Sequence, residues 1–213
     1  MNVLSRVKRR SLVLTAALVV LLVAMVVSTR FVTPEEAQAL RPQVFEAKSY
    51  VAENFPKITQ TLQEKGTDLG TLAPAVDADA AAAGKQYGID VGSGKFAFPV
   101  TVTGTVASVD AGFLELTVDG VPADDTVRVP VANAVSGTPI RDATGFMTFS
   151  DFPGQTDFQN VANEIKIKVL VDVVGKLDPA SLQGKQVTVV GAYSTGGPKN
   201  SFLVQPVSVQ VAS

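Results

Sequence analysis

The strongest hydrophobic pattern in the chain is an apolar run near its start, at residues 11–28. The run reads SLVLTAALVVLLVAMVVS and contains no charged residue. A helix of this length rises about 27 Å, close to the roughly 30 Å hydrocarbon core of a bilayer. Four basic residues lie at positions 6–10, and only Arg30 follows closely. Because basic residues favour the cytoplasmic side, residues 1–30 are predicted to be a membrane anchor, with a cytoplasmic tail followed by a transmembrane helix.

A cleaved signal peptide is the alternative for this run, since Val26 and Ser28 are of a size found at cleavage sites. The run is longer than the apolar core of about 7–15 residues that signal peptides usually have, which favours an uncleaved anchor. Both interpretations export the rest of the chain. The expected location is the cell membrane, crossed once, with the N-terminus cytoplasmic and the C-terminal part extracytoplasmic or periplasmic.

A helical pattern follows over residues 31–90, which we predict to be a small helical subdomain. Thr33 and Glu36 have the spacing of a capping box at a helix start. Apolar residues then recur at helical intervals, and Lys65 with Gly66 is typical of a helix end. The apolar stripe comprises Val44, Val51, Phe55, Ile58 and Leu62. The next stretch, TDLGTLAPAVDADAAAAGKQYG, is typical of two short helices, with Asp77 as a cap.

From Lys95 onward the hydrophobic period changes to two, which is typical of strands. The first strand has one apolar face and one face of threonines, and Gly104 on the apolar face is a candidate bulge. The apolar face comprises Phe96, Phe98, Val100, Val102 and Val106. The segments FLELTV and TVRVPV complete a meander of three strands. A helix is predicted from Phe158 in FQNVANEIKIKVLVDVVGKL, and QVTVVGAY and FLVQPVSVQVA supply two more strands.

This order of elements predicts a five-stranded OB-like β-barrel over residues 95–213, with a helix between strands three and four. Generic mixed packing of helices and strands is the alternative. The predicted fold class is therefore α+β, with an N-terminal transmembrane helix, a small helical subdomain and the barrel.

Composition limits the chemistry that the chain can perform. It has no histidine and no cysteine, which excludes Ser-His and Cys-His nucleophiles and the commonest zinc ligands. We therefore expect no enzymatic activity, no cofactor and no metal site. From Phe31 onward there are 13 basic and 20 acidic residues, a formal charge of −7 that disfavours nucleic acid as a partner.

The segment SGTPIRDATGFMTFSDFPGQTDF, residues 136–158, has no clear helical or strand period. Its candidate site residues are Arg141, Asp142, Asp151 and Gln155. The first interpretation is structural, because a partly buried Arg141 must pair with a carboxylate and would fix the crossover against the barrel. The second is ligand contact, since a bidentate arginine suits an anionic or polyhydroxyl ligand. An acid/base pair of Asp142 and Asp151 is a remote third.

These residues carry a resemblance to the DUF2291 family of predicted periplasmic lipoproteins. The resemblance rests on SGTPIRDATGFMTFSDFPGQTDFQNVANEI, FEAKSYVAENFPKI, LDPASLQGKQVTVVGAYS and FLVQPVSVQV, and it covers about residues 31–211. All four candidate site residues match the family's motif. The resemblance implies a helical subdomain joined to an OB-like barrel, and genes beside sugar-type ABC importers. Relatives commonly carry a lipid-attachment cysteine, and this chain has none.

The expected function is that of a membrane-tethered, extracytoplasmic, non-enzymatic binding or accessory protein. Its expected partners are the membrane and either ABC transporter components or a carbohydrate. A structural envelope-interaction protein with no small ligand is the alternative. A carboxylate-dependent hydrolase is a remote one.

Overall fold

The structure is a computed structural model that describes residues 3–29, 33, 36 and 45–212. The chain forms two compact units, residues 1–44 and 45–213. The first unit contains helix α1, Val3–Ser28. In this unit Thr33 and Glu36 form the predicted capping box: the Thr33 amide donates to the Glu36 carboxylate at 2.9 Å, and the Glu36 amide donates to Thr33 Oγ1 at 3.2 Å. Val44, the first residue of the predicted apolar stripe, lies outside the described residues.

The predicted transmembrane helix over residues 11–28 is wrong. Within the described part of the chain, no helix combines the length and the apolar character needed to cross a bilayer.

Two helices open the second unit, α2 at Ala47–Lys65 and α3 at Leu69–Tyr87. Helix α2 buries Val51, Ile58 and Leu62 and ends just before Gly66, as the sequence predicts. Helix α3 consists of two segments joined at a kink, as predicted, where Asp79 has the non-helical angles φ −159° and ψ 97°.

The caps of α3 differ from the prediction. Asp68 accepts a hydrogen bond from the Thr71 amide at the start of the helix. Asp79 caps the second segment, since its Oδ1 accepts from the Ala81 and Ala82 amides at 2.9 and 3.0 Å. The predicted cap at Asp77 is therefore wrong by two residues.

The rest of the unit is built around one sheet of eight described strands. They are β1 Thr67–Asp68, β2 Ile89–Gly92, β3 Lys95–Asp110, β4 Phe113–Val118, β5 Thr126–Pro130, β6 Gln186–Ser194, β7 Ser201–Leu203 and β8 Gln205–Val211. The main path runs β7-β5-β4-β3-β6-β8, and β1 and β2 pair with β3. The two ends of this path, β7 and β8, are separated only by Val204, so the sheet curves round as in an OB-type barrel.

The predicted α+β class and OB-like sheet are confirmed, but the strand count is not. The sequence predicts five strands, whereas the last one is divided into β7 and β8, and the short strands β1 and β2 extend the sheet. The bulge in β3 also differs from the prediction, since the register against β4 shifts between Val106 and Ser108 rather than at Gly104.

Between β5 and β6 the chain crosses over the sheet through helical elements. They are helix α4 at Gly137–Ala143, a 3-10 turn at Phe149–Asp151, helix α5 at Gln155–Asp172, and 3-10 turns at Val174–Lys176 and Pro179–Leu182. Helix α5 begins three residues before the predicted Phe158, and α4 was not predicted. Helices α2, α3 and α4 all contact β3. Residues 96–100 of β3 are all buried, so both faces of this part of the strand belong to the core, whereas Thr103 and Thr105 further along are exposed.

Candidate functional site

Helix α4 is fixed to the rest of the unit by buried polar and close-packed contacts. Gln205 is buried on β8, and its Oε1 accepts the Ser136 amide at 2.7 Å, just before α4 begins. A Cβ on Gly137 would overlap the Ala162 carbonyl, so α4 packs directly on the backbone of α5. At the other end of α4, the buried Thr144 hydroxyl donates to the Arg141 carbonyl at 2.7 Å. The contacts of Ser136 and Gly137 thus hold the start of α4 against β8 and α5, and the Thr144 hydrogen bond closes the last turn of α4.

Arg141 is the buried charge of this helix, with only 3% of its surface exposed. Its Nε and Nη2 lie 2.8 and 2.7 Å from Asp142 Oδ1, and its Nη1 donates to the Phe158 carbonyl at 2.9 Å. The guanidinium carbon lies 3.4 Å from the centroid of the Phe158 ring. The charge is thus neutralised, hydrogen-bonded and stacked, which is what a buried guanidinium requires.

The other two candidate residues lie apart from this pair. Asp151 is exposed, and its carboxylate accepts from the Thr148 amide and hydroxyl, both at 2.7 Å. These two hydrogen bonds from Thr148 hold the pKa of Asp151 below its usual value. Gln155 is exposed at the first position of α5. The motif therefore divides into a buried pair, Arg141 with Asp142, and two surface residues.

Arg141 and Asp142 line a pocket of about 280 Å³, which we call the Arg141 pocket. Its other lining residues are Ile89, Asp90, Val91, Gly145, Met147, Thr148, Phe149 and Phe158. The lining is mostly apolar, and two of its apolar side chains remain accessible, Phe149 at 56% and Val91 at 40% exposure.

The contribution of β2 to this pocket is not predicted by the sequence. Strand β2 supplies Ile89, Asp90 and Val91, which lie some 50 positions before α4 in the sequence. The exposure of Phe149 is also not predicted by the sequence. In a segment without periodicity, the sequence does not show whether an apolar residue faces the core or the solvent. The sequence feature that marks this part of the pocket is the repeated Phe and Asp of FSDFPGQTDF.

A larger surface depression of about 690 Å³ lies between α2, the end of α5 and β8. Its charged residues include Lys168 and Asp172, which form a half-exposed ion pair at 2.6 Å within one helix. Pairs of this kind stabilise by only a few tenths of a kcal/mol and are common on helix surfaces. The depression is broad and open, so we place the candidate site at the smaller Arg141 pocket.

A second group of interacting carboxyls lies elsewhere in the unit. Both side-chain oxygens of Asp125 are buried without a hydrogen-bond partner at normal distance in the described structure. Burial, and then the neighbouring Asp125, raise the pKa of Asp77. Burial, and then the charges of Asp77 and Asp125, also raise the pKa of Tyr193. Asp77 is therefore the carboxyl placed to share a proton with Asp125.

Comparison with known proteins agrees with the fold and the family resemblance. The family model described as "Predicted periplasmic lipoprotein (DUF2291)" matches residues 17–210. The crystal structure of an OB-fold protein from Thermotoga maritima aligns with a TM-score of 0.67 at 18% identity, covering 80% of this chain and 100% of that chain. No match is found among curated proteins. The structural match supports the fold alone.

Proposed function

Because the chain belongs to the DUF2291 family of predicted periplasmic lipoproteins, we propose that it is a non-enzymatic extracytoplasmic binding protein whose ligand site is the Arg141 pocket. The observation that carries the proposal is the pocket's composition. A mostly apolar lining with a few oriented polar groups is the usual make-up of a small-molecule site. Here the oriented groups are the rigidly held Arg141 and Asp142, and the apolar rim is Phe149 and Val91.

The proposed role is that of an accessory to a sugar-type ABC importer. An extracytoplasmic family and the resemblance described above support this role, and a carbohydrate is the first ligand class to test. Purification of the protein from native membranes should then recover transporter components. A purification that consistently lacks them would count against the importer association without affecting the pocket.

Phe149 offers the cleanest test of the pocket, because it is exposed and its removal leaves the buried ion pair intact. Thermal-shift titration with a panel of small molecules, neutral monosaccharides first, should raise the Tm of the wild-type protein for at least one of them. Phe149→Ala should weaken that ligand about two- to tenfold, since a stacked aromatic contact contributes about 0.5–1.5 kcal/mol. The Tm without ligand should change little.

Val171→Ala is the matched control, because Val171 is 63% exposed on α5 and does not line the pocket. It should leave ligand affinity unchanged. Equal weakening by both variants, or binding that is insensitive to Phe149→Ala, would place the ligand site elsewhere.

A structural envelope-interaction protein is the second candidate, and one observation favours it. Three nitrogens of Arg141 already contact groups within the protein, so the pair locks the crossover without any ligand. Removing one partner of a buried pair costs about 3–5 kcal/mol. Variants of Arg141 would therefore unfold under either function, and the Phe149 experiment is the one that separates them.

A carboxylate-dependent hydrolase is the weakest candidate. Such enzymes need one carboxyl held protonated as a general acid. The lowered pKa of Asp151 keeps that carboxylate ionised, which is unsuited to an acid. Turnover of a glycoside panel that is lost in Asp151→Asn, with the fold intact, would revive this candidate.

A further inference from the structure

We propose that the ligand of the Arg141 pocket carries a protonated amine on a small apolar body. This inference rests on the proposed function and adds the ligand's charge to it. It is carried by the charges that line the pocket and by the accessible aromatic ring at its rim.

The positive charge of Arg141 is not available to a ligand. Asp142 Oδ1 lies within 2.8 Å of two guanidinium nitrogens, and the Phe158 carbonyl takes a third. The pair is therefore neutral as a unit. An anionic ligand, which a free arginine would favour, would have to compete with Asp142 for the guanidinium.

A second carboxylate makes the lining of the pocket acidic. Asp90 lies on β2, lines the pocket and is exposed. Its Oδ1 accepts the Gly92 amide at 2.8 Å, which orients the side chain. Arg141, Asp142 and Asp90 are the charged residues among those that line the pocket, so its formal charge is −1. A cation is the complementary ligand, and an anion is repelled.

Phe149 supplies the second element of cation recognition. Its ring packs edge-on against Phe158, with centroids 5.7 Å apart and planes at 88°, and this contact fixes its orientation. Arg141 already occupies one face of Phe158, whereas more than half of Phe149 is open to solvent. An ammonium group within about 6 Å of an exposed aromatic face is attracted by the ring's quadrupole.

The size of the pocket limits the ligand to a small molecule. Its volume of about 280 Å³ lies just below the roughly 300–1,000 Å³ found for drug-sized ligands. The apolar walls of Ile89, Val91 and Met147 favour a hydrocarbon body. A primary amine on a single ring or short chain fits these requirements.

Three probes of matched shape test the charge directly: benzylammonium, benzyl alcohol and benzoate. Isothermal titration of the full chain at low salt should give at least tenfold tighter binding for benzylammonium than for benzyl alcohol, and no binding of benzoate. Raising the salt from about 10 mM to about 0.15 M should weaken benzylammonium and leave benzyl alcohol unchanged, because only the former depends on screened charges.

Asp90→Asn is the matching variant, because its amide oxygen still accepts the Gly92 amide while the charge is lost. It should weaken benzylammonium about fivefold or more and leave the Tm without ligand unchanged. Asp124→Asn, which changes an exposed carboxylate outside the pocket, should have no effect on affinity.

The outcomes separate this inference from the proposed function. Equal binding of benzylammonium and benzyl alcohol, or tight binding of neutral monosaccharides that Asp90→Asn does not weaken, would overturn the cation and leave the pocket as a ligand site. Absence of binding by every charged and neutral probe would overturn both.

Discussion

At the scale of single residues, burial distinguishes the charged side chains that stabilise the fold from those that are open to the proposed ligand. Arg141 is enclosed, and each of its contacts is made within the protein. Asp90 and Phe149 line the same pocket, but both are exposed, and neither stabilises the fold as the buried Arg141 does. The proposed ligand contacts therefore belong to exposed residues near Arg141, and Arg141 itself belongs to the fold.

The carboxyl pair of Asp77 and Asp125 predicts a pH dependence of stability. Since the fold raises the pKa of Asp77, the folded protein binds a proton there more tightly than the unfolded chain does. The resulting stabilisation is present below the ordinary pKa of 3.8 and is lost as the pH rises through the raised value. Asp77→Asn keeps a neutral side chain at every pH.

Urea unfolding across this range should therefore show a free energy of unfolding that falls less steeply with rising pH in Asp77→Asn than in the wild-type protein. Asp151→Asn is the control, because the pKa of Asp151 is lowered and its contribution is lost on the acid side of 3.8 instead. An unchanged slope in Asp77→Asn would show that the fold does not raise the pKa of Asp77.

At the scale of elements, period and capping chemistry predict most of the fold. Helix α2 and strand β3 follow from apolar residues at intervals of three to four and of two, and their buried faces agree with those patterns. Helix α4 was missed because seven residues containing glycine and proline are too short to show a period. Its position depends on contacts with α5 and with Gln205, which is distant in sequence.

The packing of α4 on α5 gives a test at this scale. Gly137→Ala places a Cβ against the Ala162 carbonyl and the Lys166 amide, both of them backbone groups that cannot move alone. The substitution should lower the free energy of unfolding by about 2 kcal/mol or more. Equilibrium urea unfolding measures this change.

Gly197→Ala is the matched control, because nothing lies within 4 Å of a Cβ at that position. Its effect should stay within about 0.5 kcal/mol. A Gly137→Ala protein as stable as the wild type would mean that α4 and α5 are not in direct backbone contact, and the wall of the Arg141 pocket would then lack its support.

At the scale of the whole molecule, element order predicted the OB-like sheet, but two features lay beyond it. The apolar run at residues 11–28 met the composition of a membrane span, yet the described helices do not meet its combined length and hydropathy. The pocket forms where β2 meets α4 and the turn that follows it. Contacts between segments some 50 residues apart leave no periodic trace in one sequence.

Amide chemical-shift mapping of the ¹⁵N-labelled full chain tests whether the Arg141 pocket is the ligand site. Titration with benzylammonium and with neutral monosaccharides should produce saturable shifts for at least one probe, concentrated at residues 89–91, 141–149 and 158. Shifts concentrated instead in the depression between α2, α5 and β8, or no saturable shift with any probe, would show that the pocket does not bind these ligands.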